Sequence, residues 1–265
     1  MIGAIIGDIV GSRFEFHNYR KKDFKLFDNK CFFTDDTVMT CAVAYSLLYG
    51  KDVARTLKSF GRRFPGRGYG GSFHRWLYSN DDSPYYSFGN GAAMRVSAVG
   101  WLAKDENEVR SLSRKVTEVT HDHPEGLKGA EATAMCVYLA VNGFSKEQIK
   151  ERMLEYYPQI RNFNYKHLVK TYFFNETCQN TVPQAFYCFL ISKNFEDCLR
   201  TSVSIGGDSD TLCAISCAIA EAYYGISDNF VNEMEKYFSK EDKEILLKPI
   251  YKIYKIKSGE IYGGK

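Results

Sequence analysis

The stretch Ile205-Gly206-Gly207-Asp208-Ser209-Asp210-Thr211, with the run Leu212–Tyr224 behind it, constrains the fold more than any other part of the chain. Leu212–Tyr224 is apolar and rich in Ala and Cys, and it ends at Gly225, so it reads as a buried helix with a glycine stop. The two glycines before it give a tight turn without side chains. Asp208, Asp210 and a hydroxyl are thereby packed at a helix start. Oxygen donors in this arrangement suit hard divalent cations such as Mg²⁺ or Mn²⁺. They also suit an ordinary helix cap, because Asp and Ser are favoured N-cap residues and acidic groups lie well at the positive end of the helix dipole.

Thr34-Asp35-Asp36-Thr37 repeats the arrangement ahead of a second mostly apolar run, Val38–Leu48. Two hydroxyl-plus-carboxylate clusters, each opening a buried helix, are best explained as two halves of one dinuclear oxygen-ligand site. Four carboxylates brought together repel strongly. A pair of divalent cations, held about 3.5–4 Å apart in two-metal sites, removes that penalty.

The paired motifs resemble the ADP-ribosylglycohydrolase family, which includes the dinitrogenase-reductase-activating glycohydrolase and the ADP-ribosyl-acceptor hydrolases. The resemblance runs from about Met1 to about Tyr224 and takes in Gly7-Asp8-Ile9-Val10-Gly11-Ser12-Arg13-Phe14-Glu15, Ser87-Phe88-Gly89-Asn90-Gly91-Ala92-Ala93-Met94-Arg95, and Thr120-His121 before Pro124-Glu125-Gly126. It implies two Mg²⁺ or Mn²⁺ ions on Thr34, Asp35, Asp36, Asp208, Asp210 and Thr211. It implies catalytic roles for Glu15, Asp36 and Asp208, with the glutamate swinging near metals and substrate. It also implies an ADP-ribose pocket lined by Ser87, Phe88, Gly89, Asn90 and Gly91, with His121 touching the ligand. The dinitrogenase-reductase-activating enzyme carries an aspartate where this chain has Ser87, so no aspartate-based step is assigned there.

Composition sets few further bounds. The 265 residues are 45% hydrophobic and 25% charged, enough for a sizeable core. A net charge of +3 gives no electrostatic argument for nucleic acid or a membrane surface. Eight cysteines without a C-x-x-C pair, mostly inside apolar helical patterns, read as free buried thiols of a cytoplasmic protein, without disulfide partners. The apolar start meets Asp8 at once and has no basic segment, so neither a signal peptide nor a membrane span is expected there.

Residues 2–11 read as a helix whose Gly3, Gly7 and Gly11 let another helix approach closely. Residues 12–33 read as a long ordered loop over the site, rich in aromatics. Glu15 lies at its start, and we expect the loop to act as a lid that carries this glutamate into the site. Phe14 and Phe16 around Glu15 would raise its carboxyl pKa. Asp8 is either a support behind the metal ligands or a locally paired buried acid. Helices are expected at about 35–49, 52–63, 71–79, 91–103, 106–119, 126–142, 146–156, 182–192, 195–204, 210–224, 228–237 and 240–254. Gly50, Gly143 and Gly225 are stops, and Ser145 with Gln148 fits a capping box. Residues 157–181 give no clear pattern and 255–265 read as a tail with Gly263-Gly264. The whole predicts one all-α domain over 1–265, a multi-helix orthogonal bundle around the metal site, favoured as a monomer. His121 and His123 lack a third zinc ligand nearby. The basic stretch from Arg62 to Gly71 suits phosphates or a protein substrate, or is a solvated loop.

The expected function is hydrolysis of the glycosidic bond between C1″ of ADP-ribose and an acceptor, which is a modified protein, a nucleic acid or a small molecule. The alternatives are a two-metal nucleotide phosphoester or pyrophosphate hydrolase, and a catalytically silent ADP-ribose-binding or structural protein.

Overall fold

Start and stop signals divide the chain, in the computed structural model describing residues 1–259, into sixteen α-helical elements. They are α1 (Ile2–Ser12), α2 (Asp35–Tyr49), α3 (Val53–Arg63), α4 (Gly71–Tyr78), α5 (Gly91–Met94), α6 (Ser97–Leu102), α7 (Glu106–Thr117) and α8 (Pro124–Val141). After these come α9 (Lys146–Tyr156), α10 (Tyr165–Thr171), α11 (Cys178–Ile191), α12 (Phe195–Ile205), α13 (Ser209–Tyr224), α14 (Asp228–Glu235), α15 (Lys240–Asp242) and α16 (Lys248–Lys257). No β-strand forms among the described residues, so the protein is all-α. Gly50 ends α2 in the left-handed region at φ 60°, and Ser145 and Gln148 form the reciprocal capping box at α9. The expected Gly263-Gly264 tail lies outside the described residues.

Gly3, Gly7 and Gly11 set the central packing. A Cβ on them would stand 2.2 Å from the carbonyl oxygen of Cys217, 2.4 Å from that of Cys213 and 2.6 Å from the Cα of Asp210. The partner positions descend as the glycines ascend, so α1 and α13 run antiparallel with their backbones in contact. This brings the end of α1, with Asp8, to the start of α13, with Asp210. Gly7→Ala would therefore force the helices apart. The expected net loss is about 2 kcal/mol, lowering the melting temperature by roughly 5 °C. An unchanged melting temperature would mean that the pair yields without loss.

Three expected helices differ in their course. The apolar pattern across 91–103 is interrupted at Arg95-Val96, where fully buried Arg95 donates to Thr120 Oγ1 at 2.7 Å. The helix expected from 182 starts four residues earlier at Cys178, with Pro183 inside it. Cys178 N donates to Phe88 O at 3.0 Å, so a long-range partner satisfies a first-turn N–H that the local pattern leaves open. The segment 157–181 holds a 3₁₀ turn (Pro158–Asn162) and α10, started by Asn164 accepting from His167 N. The last expected helix passes through a π-helical turn at Lys243–Leu247 and continues to Lys257. All eight cysteines are buried and unpaired. No described helix is long and apolar enough to cross a membrane.

Candidate active site

The N-termini of α2 and α13 meet at the C-terminal half of α1. Thr211 Oγ1 donates to Asp36 Oδ2 at 3.1 Å, joining the two acidic motifs across the chain. Asp8 lies behind them. Its carboxylate accepts from Thr34 N at 2.9 Å, Thr34 Oγ1 at 2.7 Å, Thr37 N at 3.0 Å and the Thr37 hydroxyl. These bonds fix the first turn of α2, so Asp8 is both a locally paired buried acid and a support for the ligand cluster.

Carboxylate oxygens converge in two triads, Asp8–Asp36–Asp210 and Glu15–Asp208–Asp210, each within 4.8 Å of one another. Asp210 belongs to both. Asp35 lines the same cavity but joins neither triad. Asp36, Asp208 and Asp210 are almost wholly buried. Burial, then the neighbouring carboxylates, drives the Asp36 and Asp210 carboxyls well above the usual range. Burial lifts Asp8 and Asp208 to about 6 against the hydrogen bonds they accept. Asp36 Oδ1 is buried with no hydrogen-bond partner. An orphaned buried oxygen beside mutually repelling carboxylates, in an all-oxygen donor set, fits divalent cations.

Positive φ is required at the turn that aims this cluster. Gly206 and Gly207 adopt φ 76° and 82°, and a Cβ on Gly207 would lie 2.3 Å from the Tyr172 ring. Asn18 clips the turn to the loop after α1. It donates to Gly207 O at 2.9 Å and Glu15 O at 3.1 Å, and accepts from Gly207 N at 2.9 Å. Arg20 donates to Val169 O, Ile205 O and Tyr172 O. Arg200 donates to Lys22 O and Phe24 O. The 12–33 loop is thus pinned along its length, and its cavity-lining residues are Glu15, Phe16 and Phe32. Glu15 is half-buried. Burial, then Asp210, Asp8 and Glu176, push its carboxyl to about 8.

A cavity of about 480 Å³ opens over the cluster. Every expected site residue lines it except Phe88, which is 43% exposed and packs its ring on His123 at 5.1 Å. Ser87 Oγ accepts from Gly89 N at 3.1 Å, shaping the loop. Asn90, expected nearest the distal ribose, donates to Asp208 Oδ2 at 2.7 Å and Thr181 Oγ1 at 3.2 Å, which orients that carboxylate. His121 is buried and held neutral by burial and by Arg95. Its Nδ1 lies 2.8 Å from Thr120 Oγ1, which already accepts from Arg95. The ring turns its Nε2 toward Gly89 and Gly91. His123 caps α8 by accepting from Glu125 N at 3.1 Å. The cavity is also lined by the glycine loop Gly66–Gly71 with Arg67 and Ser72, at the start of α4.

The sequence profile of the family described as ADP-ribosylglycohydrolase matches residues 1–240. The chain belongs to the ADP-ribosylglycohydrolase family. It is 24% identical to the human "ADP-ribosylhydrolase ARH3", covering 96% of this chain and 92% of that protein. It is 27% identical to the "ADP-ribosyl-[dinitrogen reductase] glycohydrolase" of Rhodospirillum rubrum, covering 80% and 76%. A solved "ADP-ribosylglycohydrolase-related protein complex" superposes with a TM-score of 0.69 at 23% identity, covering 95% of this chain and 96% of that one, so the fold is that of ADP-ribosylglycohydrolases.

Sequence reasoning left Arg95, Tyr85 and Glu176 of this cavity without a role. Arg95 stands inside an apolar pattern that masks it, and Glu176 lies in the segment without a clear pattern. A charged residue in the apolar run 91–103 was the one signal for Arg95.

Proposed function

We propose that this ADP-ribosylglycohydrolase hydrolyses the bond between C1″ of ADP-ribose and an acceptor, using two divalent cations, Mg²⁺ or Mn²⁺. The observation that carries the reading is the pair of carboxylate triads sharing Asp210 at the floor of the cavity. Asp36, Asp208 and Asp210, with Thr34, Asp35 and Thr211, would hold the cations. Bound cations would supply charge neutralisation for the carboxylates and Lewis-acid polarisation of ribose hydroxyls and water.

The chain's own residues do the rest. Asn90 and Thr211 orient Asp208 and Asp36 by hydrogen bonds. The Gly66–Gly71 loop and the start of α4 offer backbone N–H groups to the diphosphate, with Arg67 beside them. His121 turns its Nε2 to the sugar side of the cavity. Glu15, in the triad with Asp208 and Asp210, is placed to move a proton between water and the leaving group, as carboxyl groups do in other glycoside hydrolases with oxocarbenium-like transition states.

The products test this reading. Incubated with Mg²⁺ or Mn²⁺ and an ADP-ribosylated acceptor, the protein should release intact ADP-ribose, read by mass spectrometry. Release of AMP would replace it with a pyrophosphate hydrolase, and no product from any acceptor, with ADP-ribose still bound, with a silent binding protein.

A further inference from the structure

We infer that Arg67 is a positioning residue and not a diphosphate ligand: it straps the glycine loop Gly66–Gly71 to the residues on both sides of Thr34, and Phe238 holds the strap from behind; this rests on the ADP-ribose reading above. Asp35 N donates to Arg67 O at 2.8 Å. Arg67 Nη1 donates to Phe33 O at 3.1 Å. One loop residue thus bonds the main chain immediately before and immediately after Thr34. Gly68 lies against the same acidic motif, since a Cβ there would stand 3.5 Å from Asp35 Oδ1.

The guanidinium is held by rings. Arg67 Cζ lies 3.6 Å from the centroid of the Phe33 ring. Phe238, on the link between α14 and α15, stacks on that ring with centroids 4.8 Å apart at 10°. One face cannot carry both at these distances, so Phe33 is sandwiched between them. Phe64 closes its edge at 6.2 Å and 73°. All three rings are buried, and none of them lines the cavity. Tyr237 OH donates to Asp28 O at 2.7 Å, so the link that carries Phe238 is itself fixed to the 12–33 loop. A planar guanidinium gains from a ring face and from a fixed carbonyl together, which a lysine ammonium on its flexible stem does not reproduce.

Little else orders the glycine loop. A Cβ on Gly66 or Gly70 would meet nothing within 4 Å among the described residues, and the other tie is Tyr69 OH donating to Phe64 O at 2.9 Å. Such a loop costs conformational entropy to order. Through the strap that cost is shared. Cations on Thr34 and Asp35 would fix Arg67 and the loop, and a diphosphate on the loop N–H groups would fix Thr34 and Asp35. Binding at the two places is therefore coupled, and the coupling is reciprocal.

The test measures the dissociation constant of ADP-ribose by calorimetry, in chelator and in saturating Mn²⁺. For wild type the ratio of the two should be at least about fivefold. Arg67→Lys and Phe238→Leu should each cut it to below about twofold, whereas Phe238→Tyr, which keeps the ring, should preserve it. In saturating Mn²⁺ the first two variants should raise KM for an ADP-ribosylated acceptor roughly fivefold and change kcat by less than about twofold. Should Phe238→Leu fail to fold, Arg67→Lys, on a half-buried side chain, carries the test. Arg67→Lys weakening ADP-ribose by the same factor with and without Mn²⁺ would make Arg67 a plain phosphate ligand and overturn the inference. A wild-type ratio of one, or a folded Phe238→Leu with the wild-type ratio, would also overturn it. Each of these leaves the hydrolase reading intact, which falls only if wild type neither binds nor releases ADP-ribose.

Discussion

Asp210→Asn is expected to reduce turnover by at least ~100-fold, the loss that even the outer partners of metal ligands can cause. Asp210 is the carboxylate common to both triads, so on the proposed two-cation reading its loss would weaken both positions together. The asparagine keeps a carbonyl to accept from Thr211 N, which Asp210 Oδ1 does at 3.0 Å. It also removes one charge from a buried cluster in which Asp208 and Asp8 raise the Asp210 carboxyl. The cation-free variant should thus melt no lower than the cation-free wild type. Loss of activity with retained folding separates a ligand role from a structural one. Near-wild-type kcat/KM in saturating Mn²⁺ would place the chemistry elsewhere in the cavity.

The second large effect is on stability. Asp8 and Asp208, buried, have carboxyls raised to about 6, against about 3.9 for an unfolded aspartate. The folded state therefore binds protons that the unfolded state has already released. Stability from these groups is present below the unfolded pKa and is lost as pH rises through the folded pKa. Each accounts for on the order of 2–3 kcal/mol over the full window, about half of it above pH 5. The melting temperature of cation-free protein should fall by roughly 5–10 °C between pH 5 and pH 7.5. Saturating Mg²⁺ or Mn²⁺ should restore about 2.7 kcal/mol at one hundred times its dissociation constant and flatten the profile. Calorimetry in chelator and in Mn²⁺ checks this. A flat profile in chelator, unchanged by Mn²⁺, would mean that the cluster binds no cation.

How much of this was legible in the sequence follows from which contacts are local. Stops at Gly50 and Gly225 and the Ser145–Gln148 box depend on a few adjacent residues, and they stand where the pattern put them. The close approach of α1 was legible from three glycines, although not its partner. The break at Arg95 and the early start of α11 at Cys178 depend on Thr120 and Phe88, far away in sequence, so no local pattern carries them. The site shows the same division. The acidic motifs announce themselves by composition, whereas the place of Glu176 in the cavity wall comes from its main-chain bond to the distant Ser87–Gly91 loop. Phe88 illustrates the reverse, since its motif is in the cavity wall and its own ring is outside.

The antiparallel seam between α1 and α13 also sets a schedule for biosynthesis. The first helix leaves the ribosome long before its glycine face has anything to receive it, because Cys213 and Cys217 are made last among the pieces of the seam. At about 5–20 residues per second, roughly ten to forty seconds separate the two. During that interval Ile2, Ile5, Ile6 and Ile9, all buried in the finished molecule, have no native cover. A nascent chain with such an exposed apolar helix is a client for holding chaperones, and slowing translation should raise aggregation of this protein rather than lower it.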